Sequence, residues 1–376
     1  MSNKEASPDQ YALETQVGKI FPAPVLPYQP RDAVHFSPRI GLIGCGGISS
    51  THFKAYQQAG YNVVALCDKN LEKAAHRREP FFPNAKVSDN AAELIQAQDI
   101  DILDITTHPE DRVPLIEAVL RAKKHVLSQK PFVTNLDVGI QLCDLADDMG
   151  VKLAVNQNGR WAPHLAYMRE AARAGIIGTV ISVHVGIHWD HTWTAGTPFE
   201  QVEDLVLYDF GIHWFDFLSS LIGTRARRVQ ASRAFASRQS MPIPMLAQVL
   251  VEFEGGQASL VFDAHLPYGA CDQTYLGGTL GSMTSQGPNL GQQTVTLYTK
   301  DGIAQPKLEG AWFDDGFHGA MAELICAIEE DRQPLNNARD NLQSLALCFA
   351  AIAASKDGTA KILGEIRTLE KRHTES

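Results

Sequence analysis

The sequence predicts an α/β fold in which a doubly wound parallel sheet is followed by an α+β region with a mainly antiparallel sheet. Between residues 39 and 158, short apolar runs alternate with amphipathic helical patterns. This rhythm is typical of a parallel sheet covered by helices on both faces. Beyond about residue 160, strand-like runs follow one another through short turns, which favours antiparallel pairing.

The predicted elements follow from apolar periodicity and from turn residues. In the first region, strands are expected at residues 39–44, 62–68, 101–107, 125–130 and 151–158. Helices are expected between and after them, at residues 50–59, 70–79, 91–98, 112–122 and 137–149. In the second region, helices are expected at residues 163–174, 205–222, 317–330 and 338–355. The strands expected there lie at residues 178–189, 228–235, 246–254, 257–264, 279–284 and 293–299.

A chain of 376 residues suggests two domains. We expect a nucleotide-binding domain at residues 39–160 and an α+β substrate and oligomerisation domain at residues 161–376. Residues 1–38 form an N-terminal extension containing FPAPVLPYQP, whose prolines forbid a helix. The extension is either a disordered tail or an arm, and its apolar residues predict an arm that packs on folded protein.

Composition excludes several classes of function. The net charge of −10 argues against a nucleic-acid partner, and the basic cluster at residues 225–233 is more typical of a solvated face. No apolar stretch is long enough to span a membrane, and no export signal precedes residue 39. The six cysteines include no CxxC pair, which indicates reduced, buried thiols. A cytoplasmic enzyme is expected.

A glycine-rich loop follows the first predicted strand, in the sequence IGCGGISSTHF. Gly44 and Gly46 suit a tight turn and close approach of a pyrophosphate to a helix N-terminus, with the small Ser49 at the third position. Asp68 ends the second strand 24 residues after Gly44. A carboxylate there can accept both ribose hydroxyls of NAD and repel a 2′-phosphate. Lys69 beside it leaves NADP possible.

The helical stretch LVLYDFGIHWFDFLSSLI, residues 205–222, places acidic and imidazole groups together. At helical spacing, Asp209, His213 and Asp216 share one face. A carboxylate one turn from an imidazole can fix its tautomer and support a general base. From spacing alone, a satisfied structural histidine is the favoured interpretation. Gly211 within the helix hints at a close approach by a ligand or strand.

A third cluster, HVGIHWDHTW, carries three histidines and two tryptophans. His184 and His188 share a strand face, but the spacing with His191 matches no standard metal site, so no metal is expected. Trp189 and Trp193 offer flat apolar faces that suit either sugar rings or core packing.

Taken together, residues 39–360 resemble the glucose–fructose oxidoreductase/inositol dehydrogenase/MocA (Gfo/Idh/MocA) family. The segments that carry the resemblance are GCGGIS, SQKP, YDFGIHWFD and the closing FHGAMAELICAIEE and ASKDG. The resemblance implies a Rossmann domain, an open antiparallel sheet, and dimers or tetramers assembled through that sheet. It also implies hydride transfer between NAD(P) and a secondary alcohol of a sugar, polyol or sugar acid, and C-terminal helices that pack back on the Rossmann domain.

The resemblance assigns roles by motif position. Lys130, Asp209 and His213 would be catalytic, with His213 as the proton acceptor. The expected cofactor contacts are Gly44, Gly46, Gly47, Ile48, Ser49, Asp68, Thr107, Gln129 and Lys130. The expected substrate contacts, besides Asp209 and His213, are Asn158, Arg160, Trp161, His188 and Trp189.

Two positions depart from the family pattern. Gln129 stands where the family has glutamate, and Arg112 stands where many relatives have histidine. Arg112 or Arg160 could then bind a substrate carboxylate. Two other functions remain open at this point: a redox-neutral isomerase, epimerase or glycoside-cleaving enzyme with tightly held NAD, and a non-catalytic NAD-binding regulator.

Overall fold

The computed structural model describes residues 18–369. Its first sheet has six parallel strands in the order β3-β2-β1-β4-β5-β6. The strands are β1 (Arg39–Ile43), β2 (Asn62–Cys67), β3 (Lys86–Ser88), β4 (Ile102–Ile105), β5 (His125–Gln129) and β6 (Leu153–Asn156). This order is that of a Rossmann sheet, whose switch point lies between β1 and β4. The predicted doubly wound domain is confirmed.

Helices cover both faces of this sheet, and three of them begin at asparagine N-caps. Asn70, Asn90 and Asn135 are N-caps whose side-chain oxygens accept from backbone N–H groups in the first turn. Gly150 ends the fifth helix in the left-handed conformation. The helices are α1 (Ser49–Gln58), α2 (Leu71–Phe81), α3 (Ala91–Gln96), α4 (Pro109–Arg121) and α5 (Leu136–Met149).

The second sheet has nine strands in the order β14-β13-β12-β11-β7-β10-β9-β8-β15. Among the described strands, only the central β7 and β10 pair in parallel here; the other pairs are antiparallel. The strands are β7 (Val180–His188), β8 (Ala226–Ala234), β9 (Leu246–Phe253), β10 (Gly256–Asp263), β11 (Cys271–Gly278), β12 (Gly281–Asn289), β13 (Gln292–Thr299), β14 (Gly302–Ala304) and β15 (Lys361–Ile362).

Helices α6 (Pro163–Arg173) and α7 (Ile212–Ile222) accompany this sheet on its inner face. In β9, for example, every second residue is buried, because one face packs on the core and the other does not. The predicted mainly antiparallel sheet is therefore confirmed.

The two closing helices, α8 (Trp312–Glu329) and α9 (Ala338–Asp357), connect the two sheets. Helix α8 contacts α1 and β6 of the first sheet's layers, and α9 contacts both α5 and β8. Arg339 of α9 donates to Asp144 and Asp147 of α5, at 2.7 and 2.8 Å. The C-terminal helices thus pack back on the first region.

The described part of the extension, residues 18–38, lies along folded protein. Ile20 forms a bridge with Ile303, and the Glu309 N–H donates to the Tyr28 hydroxyl at 2.9 Å. Glu329 of α8 accepts from three successive backbone N–H groups, those of Val34, His35 and Phe36, at 3.1, 2.5 and 2.6 Å. This part is an arm that crosses from the second sheet to α8. Residues 1–17 lie outside the described residues.

Two further expectations concern the burial of the cysteines and the presence of membrane-spanning helices. Five cysteines are buried free thiols, whereas Cys271 is only half-buried, so the expectation of uniform burial was wrong there. Between residues 18 and 369, no helix has the length and apolarity needed to cross a membrane.

Candidate active site

The candidate site lies where the carboxyl ends of the parallel strands meet. The glycine loop follows β1, Thr107 follows β4, Lys130 follows β5 and Asn158 follows β6. In a doubly wound sheet these strand ends share one edge, and the ligand crevice lies outside it.

The glycine loop has the geometry of a dinucleotide cradle. Gly44 has φ of +105°, and a Cβ there would lie 3.0 Å from the Thr107 backbone nitrogen, so glycine is required. A Cβ on Gly46 or Gly47 would meet nothing within 4 Å, so the exposed backbone can be approached closely. Ile48 is the N-cap residue of α1.

The third small residue of the loop is fully buried. Ser49 Oγ donates to the Gly46 carbonyl at 2.7 Å, which closes the turn onto the first turn of α1. The positive end of the helix dipole then faces the loop, where it favours a bound phosphate. These groups fit a dinucleotide.

Asp68 is held in a fixed orientation beside this loop. Its carboxylate accepts from the Cys45 N–H at 2.8 Å and from the Asn70 N–H at 2.9 Å. The side chain remains half-exposed. Lys69 points away to pair with Asp111 at 3.5 Å. An acidic group fixed at the end of β2 suits ribose hydroxyls.

Lys130 and Asp209 form the charged centre of the site. The Lys130 ammonium donates to the Asp209 carboxylate at 3.0 Å and to its backbone carbonyl at 2.9 Å. Their side chains are 15% and 21% exposed. This partly buried pair joins the end of β5 to the segment that precedes α7.

The segment that carries Asp209 is a π-helical turn, Val206–Phe210, and not the start of a regular α-helix. Its wide turn runs directly into α7 through Gly211, whose N–H donates to the Val206 carbonyl at 2.8 Å. A Cβ on Gly211 would lie 2.9 Å from the Leu207 carbonyl oxygen. The close approach expected at Gly211 is therefore to its own preceding turn. Such π turns are frequent at functional sites.

His213, in the first turn of α7, is set in an apolar wall. Its ring lies edge-on to Trp312, with ring centroids 5.4 Å apart. Among the described residues, its Nδ1 has no hydrogen-bond partner. Burial, with the positive charge of Lys130 as the second cause, holds the pKa of His213 well below its usual 6.5. The imidazole is consequently neutral at physiological pH and able to accept a proton.

Asn158 is oriented by Trp312, and the next residue, Gly159, lies against His213, where a Cβ would come within 3.4 Å of the His213 Cβ. The Trp312 indole N–H donates to Asn158 Oδ1 at 2.8 Å, so the amide NH₂ of Asn158 is left to donate elsewhere. A Cβ on Gly159 would lie 2.9 Å from the Trp312 ring, so glycine allows this turn to approach α8.

Asp216 does not join Asp209 and His213, contrary to the sequence expectation. Its carboxylate accepts from Arg160 Nε and Nη2 at 2.6 and 2.9 Å, and from Ser344 at 3.0 Å. Arg160 is 6% exposed and also donates to the Leu335 carbonyl. This buried pair joins α7 to the turn that follows β6, and Ser344 adds a contact from α9. Arg160 was expected to contact substrate, but its guanidinium is instead enclosed by these protein partners.

Two other expected substrate residues lie elsewhere. Trp161 packs on α8 at Gly319, where a Cβ would come within 2.3 Å of the indole. His188 pairs with Asp263 at 2.8 Å. The neighbouring Ile187 is on the buried inner face, and successive strand residues point to opposite faces. His188 therefore faces outward, away from α7.

Trp189 does remain on the inner side. It stacks on His191, with ring centroids 4.9 Å apart, and meets Trp214 edge-on at 5.7 Å. Burial lowers the pKa of His191 to about 4. Within residues 18–369, no group of three or more histidine, cysteine or acidic side chains is arranged to hold a metal ion.

Arg112 is buried and does not face a substrate carboxylate. It is 1% exposed and donates to three backbone carbonyls, those of Thr107, Gln129 and Pro131. Burial lowers the pKa of its guanidinium to about 10.

Sequence reasoning missed a buried network behind Lys130. His52 bonds Asp104 through Nδ1 at 2.7 Å, and Gln129 through Nε2 at 2.9 Å. Tyr56 donates to Asp104 at 2.7 Å and Asn156 lies 3.2 Å from His52 Nε2. His52 stands in the glycine-loop helix one turn beyond Ser49, and that spacing was the available signal. Arg77 was also missed; it donates to the Gly46 carbonyl at 3.1 Å.

Both regions of the chain match models of known protein families. Residues 38–157 match the family model described as an oxidoreductase family with an NAD-binding Rossmann fold, and residues 165–284 match the GFO/IDH/MocA C-terminal domain.

Curated and solved proteins give similar matches over nearly their full lengths. A D-apiose dehydrogenase of Paraburkholderia graminis is 27% identical, covering 88% of this chain and 90% of its own. An inositol 2-dehydrogenase of Rhizobium meliloti is 25% identical, covering 84% and 96%. An Agrobacterium radiobacter oxidoreductase solved with NAD⁺, L-tartaric acid and magnesium has a TM-score of 0.77 at 19% identity, covering 88% and 99%.

Proposed function

The chain belongs to the Gfo/Idh/MocA family of NAD-binding oxidoreductases, and from this premise we propose that it oxidises a secondary hydroxyl of an uncharged sugar or polyol. The observation that carries the proposal is the Lys130–Asp209 ion pair, 3.0 Å long, next to a neutral His213 at the strand edge. A charged donor and a neutral acceptor side by side are what removal of a hydroxyl proton needs.

The residues at the strand edge fit NAD. Gly44, Gly46 and Ser49 shape the loop for a pyrophosphate, and Asp68 would accept from ribose hydroxyls. Thr107 Oγ1 is buried without a partner among the described residues, so it can bond a ligand. When bound, NAD⁺ supplies the acceptor for the hydride of the carbinol carbon.

In the proposed mechanism, the chain's own groups manage the proton. His213 accepts the hydroxyl proton on its imidazole as the alcohol becomes a ketone. The Lys130 ammonium, held by Asp209, donates a hydrogen bond to the same oxygen and stabilises its developing negative charge. The Asn158 amide, oriented by Trp312, would donate to a neighbouring hydroxyl. Trp312 also packs edge-on against the His213 ring, with centroids 5.4 Å apart.

An uncharged substrate is favoured because the two candidate arginines already have buried partners. Arg160 pairs with Asp216, and Arg112 donates to three carbonyls. A carboxylate entering this site would have to compete with these bonds or leave its own charge uncompensated. The D-apiose and inositol dehydrogenase relatives act on uncharged carbohydrates by name, which supports the same class.

The experiment is a substrate panel of aldoses, inositols and linear polyols, with the matching sugar acids as comparison, monitored by NADH absorbance. We expect NADH to accumulate with at least one uncharged member and not with its acid counterpart. Product formed without NADH, by protein that retains NAD through gel filtration, would instead support the redox-neutral alternative. A sugar acid as the preferred substrate would contradict the charge argument.

We also propose that subunits associate through the outer face of the second sheet. Exposed apolar side chains lie there. Four are on strands whose other face is the core, Ile181, Leu250, Tyr275 and Tyr298, and Leu280 is in the turn between β11 and β12. Leu280→Glu should lower the mass measured by light scattering if this face is an interface. An unchanged mass for that variant and for Tyr275→Arg would exclude the face.

A further inference from the structure

The backbone on both sides of Lys130 is held by buried side chains. We call residues 129–131 the Lys130 segment. Its carbonyls at Gln129 and Pro131 both accept from Arg112 Nη1. The other edge of the same guanidinium, Nε and Nη2, donates to the Thr107 carbonyl at the end of β4. One planar side chain therefore ties the ends of β4 and β5 together.

Between residues 18 and 369, the hydrogen-bond partners of the Arg112 guanidinium are backbone carbonyls, with no carboxylate among them. Burying a cation is costly unless strong hydrogen bonds compensate for lost hydration. Here three carbonyl oxygens do so, and charge-assisted bonds of this kind are roughly twice as strong as neutral ones. Tyr208, Asp104 and Asp209 are the ionisable groups near enough to influence it. The contacts serve the shape of the Lys130 segment, since no substrate group reaches a guanidinium so enclosed.

A second contact fixes the backbone amide of Lys130. Its N–H donates to Gln129 Oε1 at 2.7 Å. The same carboxamide donates from Nε2 to His52 Nε2 at 2.9 Å, so His52 carries its proton on Nδ1 and donates to Asp104 at 2.7 Å. Gln129 is thus fixed at both ends of its amide. A neutral amide suits this place, because it must donate at one end and accept at the other.

We propose that Arg112 is a positioning residue of the active site, which acts by holding the Lys130 segment so that the ammonium of Lys130 stays on Asp209. The inference rests on the proposed hydride-transfer function. The inference goes beyond that function because it assigns a role to a buried residue that touches neither substrate nor cofactor. The stem of Lys130 has a fixed length of four carbons, so a displacement of its backbone changes which positions Nζ can reach. A displacement of about 1 Å there can cost about 10²-fold in rate.

The first test follows Lys130 itself and needs no enzymatic activity. An ammonium has no lone pair with which to attack acetic anhydride, and the Lys130 side chain is only 15% exposed to the reagent. Lys130 held against Asp209 should therefore react slowly. In Arg112→Met, we expect Lys130 to be acetylated several-fold faster, measured by peptide mapping. Lys54 of α1, whose side chain is 53% exposed, is the internal control and should not change. Equal labelling of Lys130 in both proteins would overturn the proposal.

The second test is a double-mutant cycle in kcat, using Arg112→Met, Lys130→Met and the double variant. If Arg112 acts through Lys130, its substitution should lower kcat by about 10–10²-fold in the wild type but add little once Lys130 is gone. If the reduction of kcat in the double variant equals the product of the reductions in the two single variants, Arg112 does not act through Lys130. Arg121→Met removes an exposed arginine from the same helix and should leave kcat unchanged.

A second variant and the comparison of labelling with NADH formation separate a folding defect, a failure of the proposed function and a failure of the positioning role. If Arg112→Met does not fold, Arg112→Lys keeps a cation but lacks the planar fork, and the same two outcomes apply to it. If no polyol is oxidised by the wild type while Lys130 labelling still rises in the variant, the proposed function fails and the positioning role stands. If NADH forms normally and labelling is unchanged, only the positioning role fails.

Discussion

Lys130 Nζ donates to both the carboxylate and the backbone carbonyl of Asp209, at 3.0 and 2.9 Å. The two residues come from different halves of the fold, one at the end of β5 and the other in the π turn before α7. This ion pair is therefore one of the contacts that hold the second region over the cofactor edge of the first, together with the packing of α8 and α9. The Asp209 carboxylate is thus bonded to the lysine, and His213 Nδ1 has no hydrogen-bond partner among the described residues. The support of the imidazole by Asp209 that the helical spacing suggested is therefore not seen.

NAD should be preferred over NADP. Asp68 is held beside the glycine loop by the Cys45 and Asn70 N–H groups, where a 2′-phosphate would meet a fixed negative charge. We expect kcat/KM to be higher with NAD, and the gap to narrow in Asp68→Ser. Lys69→Ala should have a smaller effect, since Lys69 pairs with Asp111. Equal or better kcat/KM with NADP in the wild type would contradict this role for Asp68.

The pH profile should lack an acidic limb at the usual histidine value. His213 must be neutral to accept a proton, and burial holds its pKa well below 6.5. Activity should then fall only when the pH drops below that lowered value. Trp312→Ala opens the cover over the imidazole and should move the limb of kcat/KM upward, while Trp312→Phe keeps an aromatic cover and should move it less. A wild-type limb centred near 6.5 would contradict the assignment.

Asp272→Asn should stabilise the protein at alkaline pH. Asp272, in β11, is fully buried with no partner for either oxygen among the described residues, and burial raises its pKa from 3.8 to about 7. Its folded form therefore binds a proton that the unfolded chain loses above pH 3.8. Stability is lost as the pH rises from there through about 7, by up to about 4 kcal/mol.

The measurement is Tm at pH 5 and pH 8 for wild type and Asp272→Asn, with exposed Asp301→Asn as the matched control. The asparagine imitates the protonated acid, so its advantage should be larger at pH 8 than at pH 5. An advantage that does not grow with pH would mean that Asp272 is not protonated in the fold.

The arm should loosen when its anchor on α8 is weakened. Glu329 accepts from three backbone N–H groups of residues 34–36, whereas the amide of Glu329→Gln has only one accepting oxygen. We expect faster hydrogen exchange in residues 31–38 and a lower Tm. Glu79→Gln, on an exposed position of α2, is the control. Exchange as slow as in the wild type would show that other contacts hold the arm.

The sequence predicted most of the first sheet because each of its elements has a local signal. The strands β1, β2, β4 and β5 are apolar runs, and Asn70, Asn90 and Asn135 mark helix starts. The three-residue β3 lacks such a signal, and so do the short β14 and β15. Strand β11 was missed because CDQTYLGG alternates polar and small residues. It is held by its neighbours β7 and β12.

The site was partly predictable for a different reason. Lys130, Asp209 and His213 stand at motif positions, and the structure brings them to one edge. Arg160, by contrast, finds Asp216 through a contact 56 residues away in the chain, which spacing does not reveal. The π turn also changed the expected face, since the wide turn separates Asp209 from the α-helical register of Asp216. Partners such as His52 and Arg112 depend on the same long-range packing.

The most direct test of the central claim is deuterium transfer to NAD⁺ from a polyol labelled at its carbinol carbon, in wild type, Lys130→Met and His213→Asn. The wild type should yield deuterated NADH and the ketone. Each variant should slow the transfer by about 10²-fold or more, while its affinity for NAD⁺ changes little and the exposed control His76→Asn behaves as wild type. Transfer at the wild-type rate in both variants, with NAD⁺ bound normally, would contradict the assignment of Lys130 and His213 to the chemistry.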